Sequence, residues 1–199
     1  MASQVDICNR ALIKLGAGQI TSITDNTKAA RVLSGLWDTV RQAELSKRFW
    51  VFALTRTTMA ALGTTPAWGF SYQYQLPTDF LKLAQINDIF IAPGLMDYRN
   101  GDDSPYAIEG ETLLTDFGAP LKIRYVRDVT DAGTFDALFC DMLAARLAYE
   151  ACYSITQSRE GQNEAKEDYR ASAREASISN AIAKPPQGLL DDSWMMGRL

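Results

Sequence analysis

Few side chains in this chain could do chemistry, and one absence narrows the choice at once: its 199 residues include no histidine. Ser-His-Asp and Cys-His nucleophilic machinery, histidine-ligated zinc and histidine acid–base catalysis cannot be built within it. Carboxylate, lysine and tyrosine chemistry remain. Acidic neighbours occur at Asp102-Asp103, at Glu109 with Glu111, and at Asp191-Asp192. Two carboxylates across a cleft can hydrolyse a glycosidic bond, and Glu109 and Glu111 would share a face if they shared a strand. Acidic residues beside turns are commonplace, so exposed loops are the better explanation. Cys8, Cys140 and Cys152 are widely spaced with no CxxC pair, which argues for buried thiols over a disulfide framework or a zinc site. Gly16-Ala-Gly18 follows a helical pattern instead of a strand, so it lacks the setting of a phosphate loop. No catalytic set, cofactor or metal is expected.

The elements that would position any site are organised around residues 121–155. Leu121, Ile123 and Tyr125 alternate with Lys122, Arg124 and Val126, the two-residue period of a half-buried strand. After a polar turn the period changes. Phe135, Leu138, Met142, Ala145, Tyr149 and Cys152 fall at steps of three and four, while Leu143, Leu147 and Ala148 add apolar surface beyond that face. This predicts a central helix with neighbours on several sides, at the seam between a sheet and a bundle.

Before the seam, Ser3 is placed to cap a first helix with Asp6 in its first turn and Val5, Cys8, Ala11, Leu12 and Leu15 on its apolar face. Asp25 or Thr27 caps a second, longer helix with Ala29, Leu33, Leu36, Trp37 and Val40 as its stripe. Glu44 lies in line with that stripe. Its simpler reading is a solvated carboxylate where the stripe has run out; the sharper one is an ion pair across a subunit boundary. The aromatic cluster from Arg48 to Ala53 reads as core packing ahead of a ligand box. Leu54 to Leu62 reads as a helical or turning connector, and the Gly63–Gly69 loop as a domain boundary.

From Phe70 to Val129 strand-prone segments dominate, with a hairpin turn near Glu109-Gly110-Glu111 and an exposed polar loop from Tyr98 to Pro105. After the central helix, Thr156 to Gly161 reads as a polar link. A final helix from Asn163 to about Ala183 presents Ala165, Tyr169, Ala173 and Ala176 on one face, small enough for close helix approach. Pro185-Pro186 stops it. The last stretch holds Leu189, Leu190, Trp194, Met195, Met196 and Leu199, too apolar for a purely solvating terminus. It either folds back on the bundle or forms an arm that orders on a partner; the proline pair favours the arm, and those six side chains are its docking residues.

The fold class that follows is α+β: a bundle of about four helices, two before and two after an inserted, small, mainly antiparallel β domain, with an extended C-terminal arm. In residues, 1–62 plus 133–184 form the bundle, 63–132 the β domain and 185–199 the arm. A composition of 47% hydrophobic and 22% charged residues is that of an ordinary globular chain. The net charge of -4 gives no basic footprint for tight nucleic-acid binding. The opening Met-Ala-Ser-Gln-Val-Asp lacks the features of a secretory signal, and no apolar run is long enough to span a bilayer, so a soluble cytoplasmic product without a membrane partner is expected.

The run from Leu36 to Ala53, followed by Tyr74-Gln-Leu-Pro-Thr-Asp-Phe-Leu81, resembles the phage head-to-tail adaptors of the tail tubular protein A family. Ile108 to Thr115, Leu121 to Val126, Phe135 and Leu143-Ala-Ala-Arg-Leu-Ala148 are similar to the same family in the same order. The resemblance implies a non-enzymatic structural virion protein. Many copies, in such adaptors usually a dodecamer, would form a ring between the portal protein and the tail nozzle protein and extend the DNA channel for genome retention and ejection. Double-stranded DNA would pass through the lumen without sequence-specific binding, and the chain would be made in the host cytoplasm and reside at the head–tail interface of the virion. Three other readings stand beside it: a head-completion or stopper ring of a long-tailed phage, a virion-associated peptidoglycan hydrolase using acidic residues, and a host-side binding module.

Overall fold

The computed structural model describes residues 2–87, 89–90 and 105–183. Helix α1 (Gln4–Lys14) begins in a capping box: the Ser3 hydroxyl accepts the Asp6 amide at 3.1 Å while the Asp6 carboxylate accepts the Ser3 amide at 2.9 Å. Of the two candidate caps for helix α2 (Lys28–Lys47), Thr27 serves, accepting from the Ala30 amide at 3.1 Å. Asp25 instead folds the preceding loop, accepting from Thr21 and Ser22. Helix α3 (Ala137–Thr156) is the central helix expected, packed against α1, α2 and helix α4 (Arg159–Ile182). Met142, Leu143, Ala144, Ala145, Leu147 and Ala148 are all buried, as a helix with neighbours on several sides requires. Helix α4 starts earlier than the sequence suggests. Ser158 caps it by accepting from the Gly161 amide at 3.0 Å, so most of the anticipated link is its first turn. Its Ala173 and Ala176 are buried, with Tyr169 packed beside them.

In the segment from Arg48 to Ala53, Phe49, Trp50 and Ala53 are buried in the bundle core, Phe52 packs against it, and Val51 is exposed. Phe139 of α3 meets Trp50, Phe52 and Phe135 at centroid distances of 4.9, 4.9 and 5.0 Å and interplanar angles of 66 to 74°, an edge-to-face cluster. The chain then enters strand β1 (Leu54–Met59), where a helical or turning connector was expected. Leu54 to Met59 carry no strict alternation of their own, and they extend because each residue pairs across strand β7 (Leu121–Arg127), from Leu54↔Val126 to Met59↔Leu121.

Strands β2 (Tyr72–Gln75), β3 (Phe80–Ile86), β4 (Ile89–Phe90), β5 (Tyr106–Glu109) and β6 (Thr112–Thr115) complete two antiparallel sheets, ordered β1-β7-β3-β4 and β2-β6-β5. The β5–β6 hairpin turns at Gly110-Glu111, with Gly110 at φ 58, a left-handed value glycine adopts without steric cost. Leu121, Ile123 and Tyr125 of β7 join Met59, Leu83 and Ile86 from their own sheet and Tyr74 and Leu113 from the other in one core cluster. Val126, the next residue along β7, belongs to the bundle core instead. One strand therefore serves both cores.

Candidate assembly surface

All six predicted docking residues, Leu189, Leu190, Trp194, Met195, Met196 and Leu199, lie outside the described residues, as do Asp102-Asp103 and Asp191-Asp192. Glu109 and Glu111 sit exposed at the β5–β6 hairpin. A surface groove of about 410 Å³ holds Glu111 among Gln75, Pro77 and Phe80, with no second carboxylate in its lining. The three thiols are buried and unpaired. Burial pushes the Cys8 thiol up to about 12 and raises that of Cys140, so neither is a ready nucleophile. Among the described residues no group of three or more Cys, Asp or Glu is placed to hold a metal ion, and no helix is long and apolar enough to cross a membrane.

Two buried ionic networks hold the bundle together. Glu44, read from the sequence as solvated, is 0% exposed. The helical turn beyond Val40 continues under α4, so the stripe has not run out where the apolar side chains stop. Glu44 Oε1 accepts from Lys47 Nζ at 2.5 Å and from the Tyr169 hydroxyl at 2.9 Å, with Arg146 Nε at 3.7 Å. The Arg146 guanidinium also lies 5.0 Å from the Tyr169 ring centroid. Burial pulls the Lys47 ammonium down, but its bonds to Glu44 and Tyr169 outweigh that and leave it raised. All these partners are within the chain and link α2, α3 and α4. The alternative of a pair across a subunit boundary is not what satisfies Glu44 Oε1.

The second network was not anticipated. Arg41, 2% exposed, bonds Asp128, the Val129 carbonyl at 2.7 Å and Asp38 at 3.1 Å. Gln42 adds a bond to Asp128 at 2.8 Å. Burial works to raise the Asp128 carboxyl, but Arg41 and Gln42 prevail and hold it below the usual carboxylate range. The clamp pins the exit of β7 onto α2. Its sequence signal was available: Arg41 stands four residues after Trp37, beside Val40 in the apolar stripe.

Each network leaves one buried atom without a hydrogen-bond partner, Glu44 Oε2 in the first and Arg41 Nε in the second. The outward surface differs from these interiors. Arg56 stands directly across the β1–β7 ladder from Arg124, and Thr58 across from Lys122. With Gln85 and Asn87 these residues line a groove of about 390 Å³ on the first sheet. Apolar side chains are also presented: Trp68 in the loop before β2 is 85% exposed, and Ile178 and Ile182 project from the last turns of α4. The arrangement has cation-lined and apolar surface suited to protein contact, and its carboxylates are paired in the interior, scattered on loops, or exposed along α4, where Glu160, Glu164 and Glu167 lie. The chain matches no family model and no curated protein.

Proposed function

We propose that the chain is a structural adaptor of a phage virion, forming an oligomeric ring between portal and tail nozzle through which double-stranded DNA passes. The observation that carries this reading is architectural. The segments on which the family resemblance rests fall in α2 with the aromatic turn after it, in β2 and β3, in the β5–β6 hairpin, in β7 and in α3, the elements that build both cores and the seam between them. The adaptor resemblance implies a helical bundle carrying an inserted β unit, and the chain has that arrangement. Buried ionic networks that lock helices to one another suit a rigid ring subunit.

The test is light scattering with electron microscopy of the purified chain, alone and mixed with the portal ring of the same genome. A stoichiometric ring added to the portal is the expected result. A chain that stays monomeric and ignores the portal refutes the adaptor reading. Deleting residues 187–199 should abolish portal binding and leave thermal unfolding nearly unchanged; a large loss of stability would instead mean that the arm folds back on its own bundle.

A further inference from the structure

We infer that the subunits of this ring meet head to tail by charge, the cationic groove of the first sheet on one copy receiving the outer face of α4 on the next. The inference rests on the ring reading above and goes beyond it by naming the two surfaces.

The groove is an electrostatic anomaly in an acidic chain. Arg56 and Arg124 face each other across the β1–β7 ladder, and Lys122 is two residues from Arg124 on the same face. Like charges directly opposite on a sheet are destabilising. Among the described residues none of these three cations has a carboxylate partner, a state they share with Lys28, Arg31 and Arg159, but Arg56 and Arg124 are also set directly opposite each other by the strand register. The rest of this sheet face is covered: Val126 and Ala84 pack into the bundle core. The cations occupy the half that the molecule leaves open.

The same chain presents a complement. Glu160, Glu164 and Glu167 follow one another along α4 at steps of four and three, so they share one helix face. All three are exposed, and none is in an ion pair among the described residues. Further along that face come Ala171, small enough for close approach, the exposed Arg174 and Glu175 side by side, and the exposed Ile178 and Ile182, so the acidic part of the face is its first two turns. A cationic patch and an acidic stripe on different elements of one chain satisfy each other only between copies, and such a heterologous contact closes into a ring when its rotation allows. A phosphate backbone could also meet the three cations. The net charge of -4 opposes long-range attraction of DNA, and the unpaired acidic stripe favours a second copy as occupant.

Two charge-reversed full-length chains test this, one carrying Arg56→Glu and Lys122→Glu, the other Glu160→Lys, Glu164→Lys and Glu167→Lys. In the first, Arg124 gains opposite charges beside it, so its thermal unfolding midpoint should hold or rise. The number of copies bound per portal ring is counted by electron microscopy. Each variant alone should lose ring formation at least tenfold, and an equimolar mixture should restore it, because each reversed surface then finds its complement on the other chain. Assembly of either variant at the wild-type level overturns the inference, as does failure of the mixture to recover. A groove variant that assembles normally but no longer retards duplex DNA in a gel would assign the cations to phosphate. A wild-type chain that forms no ring would refute the underlying adaptor reading, a result distinct from these.

Discussion

Replacing Glu44 by Gln separates a buried anion from the solvated carboxylate that its place in the sequence suggests. The substitution keeps the shape and removes the charge that faces Lys47 at 2.5 Å and Arg146 at 3.7 Å. Taking one partner from a fully buried ion pair costs ~3–5 kcal/mol, because the other charge stays behind unpaired. Here the side chains of Lys47 and Arg146 keep 42% and 25% of their exposure and can be partly rehydrated. That exposure brings the cost below the fully buried range, to ~2–3 kcal/mol. At ~2–4 °C per kcal/mol for a chain of this size, the thermal midpoint should fall by roughly 4–12 °C. Urea unfolding followed by circular dichroism gives the free energy, with an unchanged slope confirming that only stability moved. Because the Tyr169 hydroxyl donates to the same carboxylate oxygen, Tyr169→Phe should couple to Glu44→Gln by at least ~0.5 kcal/mol in a double-mutant cycle. A loss within ~0.5 kcal/mol, typical of surface substitutions, or strict additivity of the two changes, would refute the reasoning.

The Arg41–Asp128 clamp predicts a pH dependence. The folded carboxyl of Asp128 lies below its unfolded value, so its stabilising contribution is complete above ~pH 4–5 and is lost as pH falls through the folded value. Asp128→Asn should therefore lower the urea midpoint near neutrality and shrink the further drop on acidification; an unchanged difference between pH 7 and pH 3 would count against the clamp. The thiols Cys8, Cys140 and Cys152 should react with an aromatic disulfide reagent only as fast as the chain opens, since all are buried. Fast labelling of Cys8 under native conditions would contradict its place in the core.

Local patterns carried much of the fold. The Ser3 cap with Asp6 in the first turn, the alternation of Leu121, Ile123 and Tyr125, the Gly110 turn and the many-sided burial of α3 were all legible, because each depends on residues within a few positions of one another; that Asp6 reaches back to the Ser3 amide came only with the structure. The clustering of aromatics after Arg48 likewise announced a core, since such side chains bury large areas wherever elements meet. Tertiary structure decided the rest. Leu54 to Met59 became a strand because β7, far along the chain, supplied its hydrogen bonds. Arg41 found Asp128 across 87 positions, and Glu44 met Tyr169 across 125. Whether a charge at a helix position is solvated or buried depends on which distant element closes over it, and periodicity along one helix holds no record of that. The docking residues of the C-terminal stretch came from composition alone, whereas the cation groove exists only through the β1–β7 register, which sets Arg56 opposite Arg124.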